Sequence, residues 1–226
     1  MIKPCIVIPA YNESKHIGRL IDEILSKFGD LIADLLVVDD GSHDETAKIA
    51  RKAGAYVIGH RRNMGKGMAL RTGFSYALGH GYDPIMTMDG DGQHDPDDIP
   101  RFIARFDEGD VDIVLGAREI ERGRMPLHRR LNNRLVSAVG SWLSGQRVPD
   151  FQCGYRLIKA EILERISLET RRYETESELL IKAGRLGYRI ASIPIRTIYN
   201  GAESNVDPLV EMKLFTLLLF RSLRER

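Results

Sequence analysis

The sequence is poor in three features that would each point to a particular class of protein. It has only two cysteines, Cys5 and Cys153, which lie far apart and match no zinc-site spacing. This favours a reduced, cytoplasmic setting. No apolar run reaches the roughly 20 residues that a membrane-spanning helix needs, and Ile6–Ile8 runs into Pro9 too soon to form a secretory signal. The formal net charge is only +1, which argues against bulk electrostatic capture of nucleic acid.

The 226 residues instead alternate between short apolar runs and helical patterns. Five runs rich in branched aliphatic residues are predicted strands: Cys5–Ile8, Asp34–Val38, Ala55–Ile58, Ile85–Met88 and Ile113–Leu115. Helical patterns lie between them, at about 13–27, 44–53, 66–79 and 97–107. Because the strands are continuously apolar and joined by helices, they predict an α/β fold with a mostly parallel sheet covered on both faces.

The alternation stops after Gly116. The pattern there predicts a mobile loop over 117–127, a helix over 128–143, a short strand over 153–158, two helices (160–166 and 175–186) and an extended run, Tyr188–Tyr199. We find no internal repeat or linker. The chain is therefore expected to form one catalytic domain, 1–208, followed by an amphipathic helix, 209–226, that either belongs to it or makes an outside contact.

The most informative segment follows the fourth predicted strand. Asp89 and Asp91 are two residues apart, and each is followed by a glycine. Side chains two apart on an extended segment point to the same side, so both carboxylates can face one ligand. The two convergent carboxylates, with Gln93 and His94 just beyond them, suit a hard divalent cation, Mg²⁺ or Mn²⁺. The alternative is a Gly–Asp turn that leads into a helix beginning at Asp95, and both can hold together.

Polar residues also follow the other predicted strands, whose carboxyl ends meet at one edge of a parallel sheet. After the first strand, Tyr11 and Glu13 are placed to flank a nucleoside, while Asn12 is a candidate cap for the next helix. Asp39 ends the second strand and suits a base or a ribose. Lys66 lies in a glycine-rich loop that opens a helix, where a phosphate can bind.

In this order, the motifs PAYNE, VVDDGS, NMGKG, DGDGQ, GAR and DFQCGYRL resemble the family 2 glycosyltransferases with a GT-A fold. The resemblance covers residues 4 to 200 and is strongest to the polyprenol-phosphate sugar synthases, a group that includes dolichol-phosphate mannose synthase. It implies inverting, metal-dependent hexose transfer from a nucleoside diphosphate sugar. It places these residues at the nucleotide: Pro9, Tyr11, Glu13, Val37, Asp39, Lys66 and Asp89. The implied metal ligands are Asp89, Asp91 and Gln93.

Segment 118–134 holds six arginines against two glutamates. Arginine presents a planar fork that matches phosphate oxygens, so the segment is interpreted as a movable phosphate clamp; the alternative is a solvated helix face. The resemblance implies that Arg118, with one or more of Arg129, Arg130 and Arg134, contacts the donor diphosphate or a phosphate acceptor.

The catalytic base is the open role. A hydroxyl acceptor needs a carboxylate to take its proton, and the candidates are Asp150 and Glu176. A phosphate acceptor is already anionic and needs only positioning and charge balance. The alternative for Glu176 is a first helical turn whose negative charge suits the helix dipole.

The carboxyl-terminal run Leu214–Phe220 is apolar and is followed by Arg221, Arg224 and Arg226. Such a helix either lies at an anionic membrane surface or packs on the domain or on a second subunit, which would make a homodimer. The sequence thus predicts a hexosyltransferase acting on a polyprenyl phosphate, peripheral at the cytoplasmic membrane face. The rival functions are transfer to a hydroxyl acceptor, a phosphohydrolase using Asp89, and a sugar-nucleotide-binding protein without turnover.

Overall fold

The computed structural model describes residues 2–118, 127–198 and 208–224, with only the helical backbone for 127–130, 208–213 and Arg224. Within these ranges lie seven strands: β1 Cys5–Ala10, β2 Asp34–Asp39, β3 Tyr56–Gly59, β4 Ile85–Thr87, β5 Ile113–Arg118, β6 Arg156–Ile158 and β7 Ile190–Ile195. The helices are α1 Ile17–Phe28, α2 Thr46–Lys52, α3 Lys66–Gly79, α4 Ile99–Asp107, α5 Leu127–Ser144, α6 Ala160–Arg165, α7 Glu174–Arg185 and α8 Pro208–Arg224.

The strands form one sheet in the order β3-β2-β1-β4-β6-β5-β7. β1 pairs in parallel with β2 and β4, β2 with β3, and β5 with β7. β6 alone is antiparallel to both of its neighbours, β4 and β5. The predicted mostly parallel α/β sheet is confirmed, and the carboxyl ends of six strands meet at one edge.

Amphipathic spacing explains how the helices cover the sheet. In α1 the buried residues are Ile17, Leu20, Ile21 and Ile24, the i, i+3, i+4, i+7 pattern of a helix with one apolar face. In α3 a side chain at Gly73 would meet Val7 of β1 at 2.3 Å, so glycine lets this helix lie directly on the central strand. The core is continuous from β1 to β7.

Two local expectations are wrong. α1 begins at Ile17, not near residue 13, and Asn12 does not cap it. Asn12 instead adopts a left-handed backbone (φ 57°) and accepts a hydrogen bond from His43 N through its own side chain. The pairing of β6 was not predicted, because three residues of sequence carry no sign of strand direction.

The second half of the chain ends in a layer of helices. α7 packs against both α5 and α8, and Leu218 and Ser222 of α8 are buried. No helix among the described residues combines the length and the apolarity needed to cross a bilayer. The division into a domain 1–208 and a tail 209–226 stays a prediction. Cys5 and Cys153 are buried thiols, and burial raises the pKa of each to about 12.

Candidate active site

The loops after β1 and β2 are tied together and form one side of the cleft edge. The backbone N–H of Asn12 donates to Ser42 Oγ at 2.9 Å, and that of Glu13 donates to Thr46 Oγ1 at 2.8 Å. Ser42 in turn donates to Asp39 at the end of β2, through both its hydroxyl and its backbone N–H. Tyr11, on the loop after β1, and Asp39, at the end of β2, are both predicted to bind the nucleoside, and these contacts hold the two segments in one arrangement.

The loop before Lys66 is held by a buried carboxylate. Asp40, only 2% exposed, accepts from the N–H groups of Met64 (2.9 Å) and Gly65 (2.7 Å). Its Oδ1 also lies 2.7 Å from Nδ1 of His60, whose Nε2 lies 2.9 Å from Thr72 Oγ1 on α3. Sequence reasoning gave Asp40 no role. Its position fixes the backbone that delivers Lys66 to the site.

Lys66, the first residue of α3, lies between two carboxylates. Its Nζ is 2.6 Å from Asp89 Oδ1, which follows β4, and 3.2 Å from Glu176 Oε2 on α7. Burial opposes the charged form of Lys66, but the two carboxylates outweigh it and raise its pKa. Burial likewise opposes ionisation of Asp89, yet the Lys66 ammonium outweighs it and lowers the pKa of Asp89 to about 2.

Two residues of the DFQCGYRL motif bring β6 and α7 to this ion pair. A side chain at Gly154 would meet both carboxylate oxygens of Asp89 (2.6 and 2.9 Å) and Glu176 Oε1 (2.9 Å). Arg156 is fully buried and donates to the carbonyls of Cys153, Glu176 and Phe151. Its guanidinium therefore joins the 150–156 segment to the start of α7. Sequence reasoning missed this role, because nothing in the motif indicated that the arginine is buried.

The DGDGQ segment forms a turn, not an extended strand, because β4 ends at Thr87. Gly92 has φ 70°, and Asp91 Oδ1 accepts from the N–H of Gln93 at 2.9 Å. The argument from same-side side chains on a strand is thus wrong, and the Gly–Asp turn is what forms. Asp95 also accepts from Asp97 N, as expected for a helix start.

His94 positions this turn. It is buried, its ring stacks on Tyr155, and Nδ1 accepts from the backbone N–H of Asp89 at 3.2 Å. Burial lowers the pKa of His94, which keeps the imidazole neutral and able to accept. The suggestion that His94 belongs to the metal-binding group is not supported by this orientation.

Glu13 and Asp91 form what we call the acidic rim. Burial raises the pKa of Glu13 to about 7, assisted by the charges of Asp91 and Asp89. Burial and the neighbouring charge of Asp89 also raise the pKa of Asp91. At Asp91 the charge of Lys66 acts against this rise of the pKa but does not reverse it. The rim is therefore a pair of neighbouring acidic groups at the cleft edge that disfavour each other's ionisation.

The acidic rim fits a divalent cation. Carboxylates whose pKa values are raised by one another are stabilised by a cation, and carboxylate oxygen is the ligand that Mg²⁺ and Mn²⁺ prefer. Among the described residues, no three His, Cys, Asp or Glu side chains form a complete metal cage.

Arg118, at the end of β5, forms a two-pronged ion pair with Asp150. Its Nε and Nη2 donate to the two carboxylate oxygens at 2.7 and 2.9 Å, and Asn133 of α5 adds a longer contact of 3.5 Å. Burial opposes ionisation of Asp150, but the guanidinium outweighs it and lowers its pKa. This geometry makes Asp150 a poor proton acceptor and a good positioning residue for Arg118.

Some predicted site residues remain outside this arrangement. Val37 is fully buried inside β2, two residues before the strand ends, so its place at the nucleoside stays a prediction. Arg134 is exposed on α5. The side chains of Arg129 and Arg130 lie outside the described residues, and their contact with phosphate also stays a prediction.

The fold and the cleft together define a glycosyltransferase of the GT-A fold. The family model Glycosyl transferase family 2 matches residues 5–167, and the chain belongs to that family.

Named relatives are similar over most of their length. A UDP-N-acetylglucosamine–dolichyl-phosphate N-acetylglucosaminyltransferase of Methanococcus voltae is 33% identical, over 95% of this chain and 94% of that protein. An undecaprenyl-phosphate mannosyltransferase of Micrococcus luteus is 31% identical, over 84% and 81%.

A solved structure supports the same fold. Glucosyl-3-phosphoglycerate synthase of Mycobacterium tuberculosis, in complex with Mg²⁺ and uridine diphosphate, superposes with a TM-score of 0.76 at 26% identity. The match covers 98% of this chain and 78% of that one.

Proposed function

We propose that this enzyme transfers a hexose from a nucleoside diphosphate sugar to a polyprenyl phosphate, with inversion and with the help of Mg²⁺ or Mn²⁺. The relatives named for dolichyl and undecaprenyl phosphate support the acceptor class. The observation that carries the proposal is the charge arrangement of the cleft: an acidic rim lies beside two half-buried cations, Lys66 and Arg118.

The donor would lie across the carboxyl ends of the first strands. We expect Tyr11 and Asp39 to contact the nucleoside and Lys66 to contact the diphosphate. Asp91, with Asp89 and Gln93, would hold the cation, which stabilises the negative charge that develops on the leaving diphosphate. Lys66 and Arg118 add fixed positive charge without a change of protonation, because their pKa values are raised.

The acceptor follows from the state of the two candidate bases. Asp150 is bound by Arg118 through both oxygens, and Glu176 faces Lys66. Each carboxylate thus already has a cationic partner that would have to be displaced before it could take a proton. A phosphate acceptor needs no such group, because its oxygen is anionic before it attacks the anomeric carbon. A polyprenyl phosphate also places the reaction at a membrane, where we infer a peripheral enzyme on the cytoplasmic face.

Donor identity can be tested first. The intact protein is mixed with GDP-mannose, UDP-glucose or UDP-N-acetylglucosamine, each with Mn²⁺, Mg²⁺ or a chelator, and its melting temperature is measured. A donor that binds the native state raises that temperature by mass action. We expect one nucleotide class to do so, and only when metal is present.

The acceptor is then tested with that donor in radiolabelled form. A polyprenyl phosphate is compared with the corresponding polyprenol and with phosphoglyceric acid. Labelled lipid from the phosphate alone, lost on chelation, is the expected result. Transfer to either hydroxyl acceptor with none to the phosphate would contradict the proposal, as would donor binding without any transfer or hydrolysis.

A further inference from the structure

Two helices that touch the site share an apolar face exposed to solvent. Its members lie on α5 and α8, have relative exposures between 39% and 70%, and are Leu131, Leu135, Trp142, Leu217, Phe220 and Leu223. On each helix they recur at spacings of three, four or seven residues, which keeps them on one side. Single exposed apolar residues are ordinary, but six on two packed helices make a patch.

The two helices are fixed side by side. Arg185 of α7 donates to Leu143 O at 3.3 Å and to Ser222 O at 2.8 Å, so one guanidinium bridges α5 and α8 near their carboxyl ends. Leu143 and Ser222 are buried, while their chain neighbours Trp142 and Leu223 are exposed. The buried side of each helix therefore faces the domain, and the apolar patch is its outer side.

The same helices carry an excess of positive charge. α5 contains three arginines and no acidic residue, and α8 contains three basic residues against Glu211 alone. One of these cations, Arg221, meets Glu169 of the domain. Six basic residues against one acidic residue are a local excess of positive charge in a chain whose net charge is only +1.

Both helices also reach the site. Asn133 of α5 contacts Asp150, the partner of Arg118, and Leu131 and Leu135 lie two residues to either side of it. On α8, Leu214 and Phe215 line a small cavity together with Tyr173. The Tyr173 ring is 5.9 Å from Lys66 Nζ. The apolar face thus begins beside the phosphate-binding cations and runs away from them.

We propose that α5 and α8 form one docking face for an anionic lipid bilayer, with the apolar side chains entering the interfacial region and the basic residues meeting lipid headgroups. The inference rests on the proposed function, since it supplies the contact that a bilayer-confined acceptor requires. It also extends the face beyond the tail to α5. A symmetric dimer through the same face is disfavoured, because the positive surface of one copy would oppose itself.

The test is co-sedimentation of the full-length protein with vesicles of phosphatidylglycerol and phosphatidylcholine in equal parts, compared with phosphatidylcholine alone. We expect binding to the anionic vesicles that weakens in high salt. The double variants Leu131→Gln/Leu135→Gln and Leu217→Gln/Phe220→Gln should each lower the partition coefficient about tenfold or more. The matched control is Tyr56→Gln, which removes a 53% exposed ring from edge strand β3.

The outcomes separate the docking face from the proposed function. Each double variant should keep its melting temperature and its turnover of a short, water-soluble isoprenyl phosphate, yet lose turnover of polyprenyl phosphate in vesicles. Unchanged vesicle binding in Leu131→Gln/Leu135→Gln would overturn the proposal that α5 belongs to the docking face, even if polyprenyl phosphate is the acceptor. A dimer of the intact protein that either double variant makes monomeric, without vesicle binding, would overturn it too. Vesicle binding with no activity on any isoprenyl phosphate would instead contradict the proposed acceptor and still support the docking face.

Discussion

The carboxylates of the cleft fall into two groups that differ in what faces them. The paired carboxylates, Asp89, Asp150 and Glu176, each have a cationic partner inside the protein: Lys66 for the first and last, Arg118 for Asp150. In the acidic rim, Glu13 and Asp91, burial and the charges of other carboxylates raise the pKa values. The pKa values of Asp89 and Asp150 are instead lowered by their cationic partners.

We therefore expect the two groups of carboxylates to have different roles. A carboxylate already bound to arginine or lysine positions that cation and contributes rigidity. A carboxylate whose pKa is raised in the folded protein gains most when a divalent cation binds. Proposed roles can therefore be tested by changing one group at a time and asking whether binding, turnover or stability responds.

The largest effect is expected at the acidic rim. Asp91→Asn removes a proposed metal ligand while keeping the shape of the turn, so donor turnover should fall about 100-fold or more. Metal-dependent nucleotide binding should weaken and the melting temperature should hold. Asp107→Asn, an exposed carboxylate at the end of α4, is the control. Full activity of Asp91→Asn in a chelating buffer would remove the metal assignment.

A smaller loss of turnover is expected at Arg118, the cationic partner of the paired carboxylate Asp150. Arg118→Lys keeps the charge but replaces a two-pronged contact by a point charge, so kcat should drop about tenfold. The change in kcat should be larger than the change in donor KM. The matched control is Arg105→Lys, since Arg105 makes the same kind of contact with Asp110 on the surface. If Arg118→Lys lowers only the melting temperature, the pair is structural.

The two groups should also respond to pH with opposite sign. The folded protein raises the pKa of Glu13 from 4.5 to about 7, so it holds a proton that the unfolded chain releases. The free energy of unfolding of the metal-free protein should therefore fall as pH rises from 4.5 to 7. Asp89 has the opposite effect on stability, because its pKa is lowered in the folded protein. The stabilisation that it contributes to the fold is present above pH 3.8 and is lost as pH falls toward 2.

Unfolding measured across that range in a chelating buffer would check the sign. Glu13→Gln should flatten the slope between pH 4.5 and 7, whereas the exposed Glu164→Gln should leave it unchanged. Addition of Mn²⁺ and nucleotide should also flatten it, because the cation replaces the proton. A slope that persists in Glu13→Gln would show that another group titrates.

The smallest effect is expected at Glu176. Glu176→Gln leaves Lys66 beside Asp89 and keeps the carbonyl that binds Arg156. Turnover should stay within about threefold, and the donor should bind a few-fold more tightly because Lys66 is then shared with one carboxylate fewer. A loss of turnover well beyond this, at an unchanged melting temperature, would identify Glu176 as the proton acceptor for a hydroxyl substrate.

Sequence reasoning predicted the parts of this site that depend on nearest neighbours in the chain. The alternation of apolar runs and helical patterns was enough to predict β1 to β5. The direction of the parallel strands was enough to predict the edge at which Asp39 and Asp89 lie, while their roles toward a ligand stay predictions. These depend on local periodicity and on one general property of parallel sheets.

What could not be predicted depends on contacts between distant segments. Lys66 and Glu176 are 110 residues apart, and they meet because β6 is inserted in reverse between β4 and β5. The pairing of Arg118 with Asp150 has the same origin, and it changed the interpretation of Asp150 from a candidate base to a positioning residue. No periodicity in the sequence contains that information.

The crowding around Gly154 has a consequence for how this enzyme can change over generations. Even one added methyl group there would collide with Asp89 and Glu176, whereas at Gly59 or Gly79 it would meet nothing within 4 Å. A library that randomises these three positions and selects for transfer should return many residues at 59 and 79 and glycine alone at 154. A side chain at position 154 would thus require Asp89 and Glu176 to move, and with them the two ion pairs that hold Lys66.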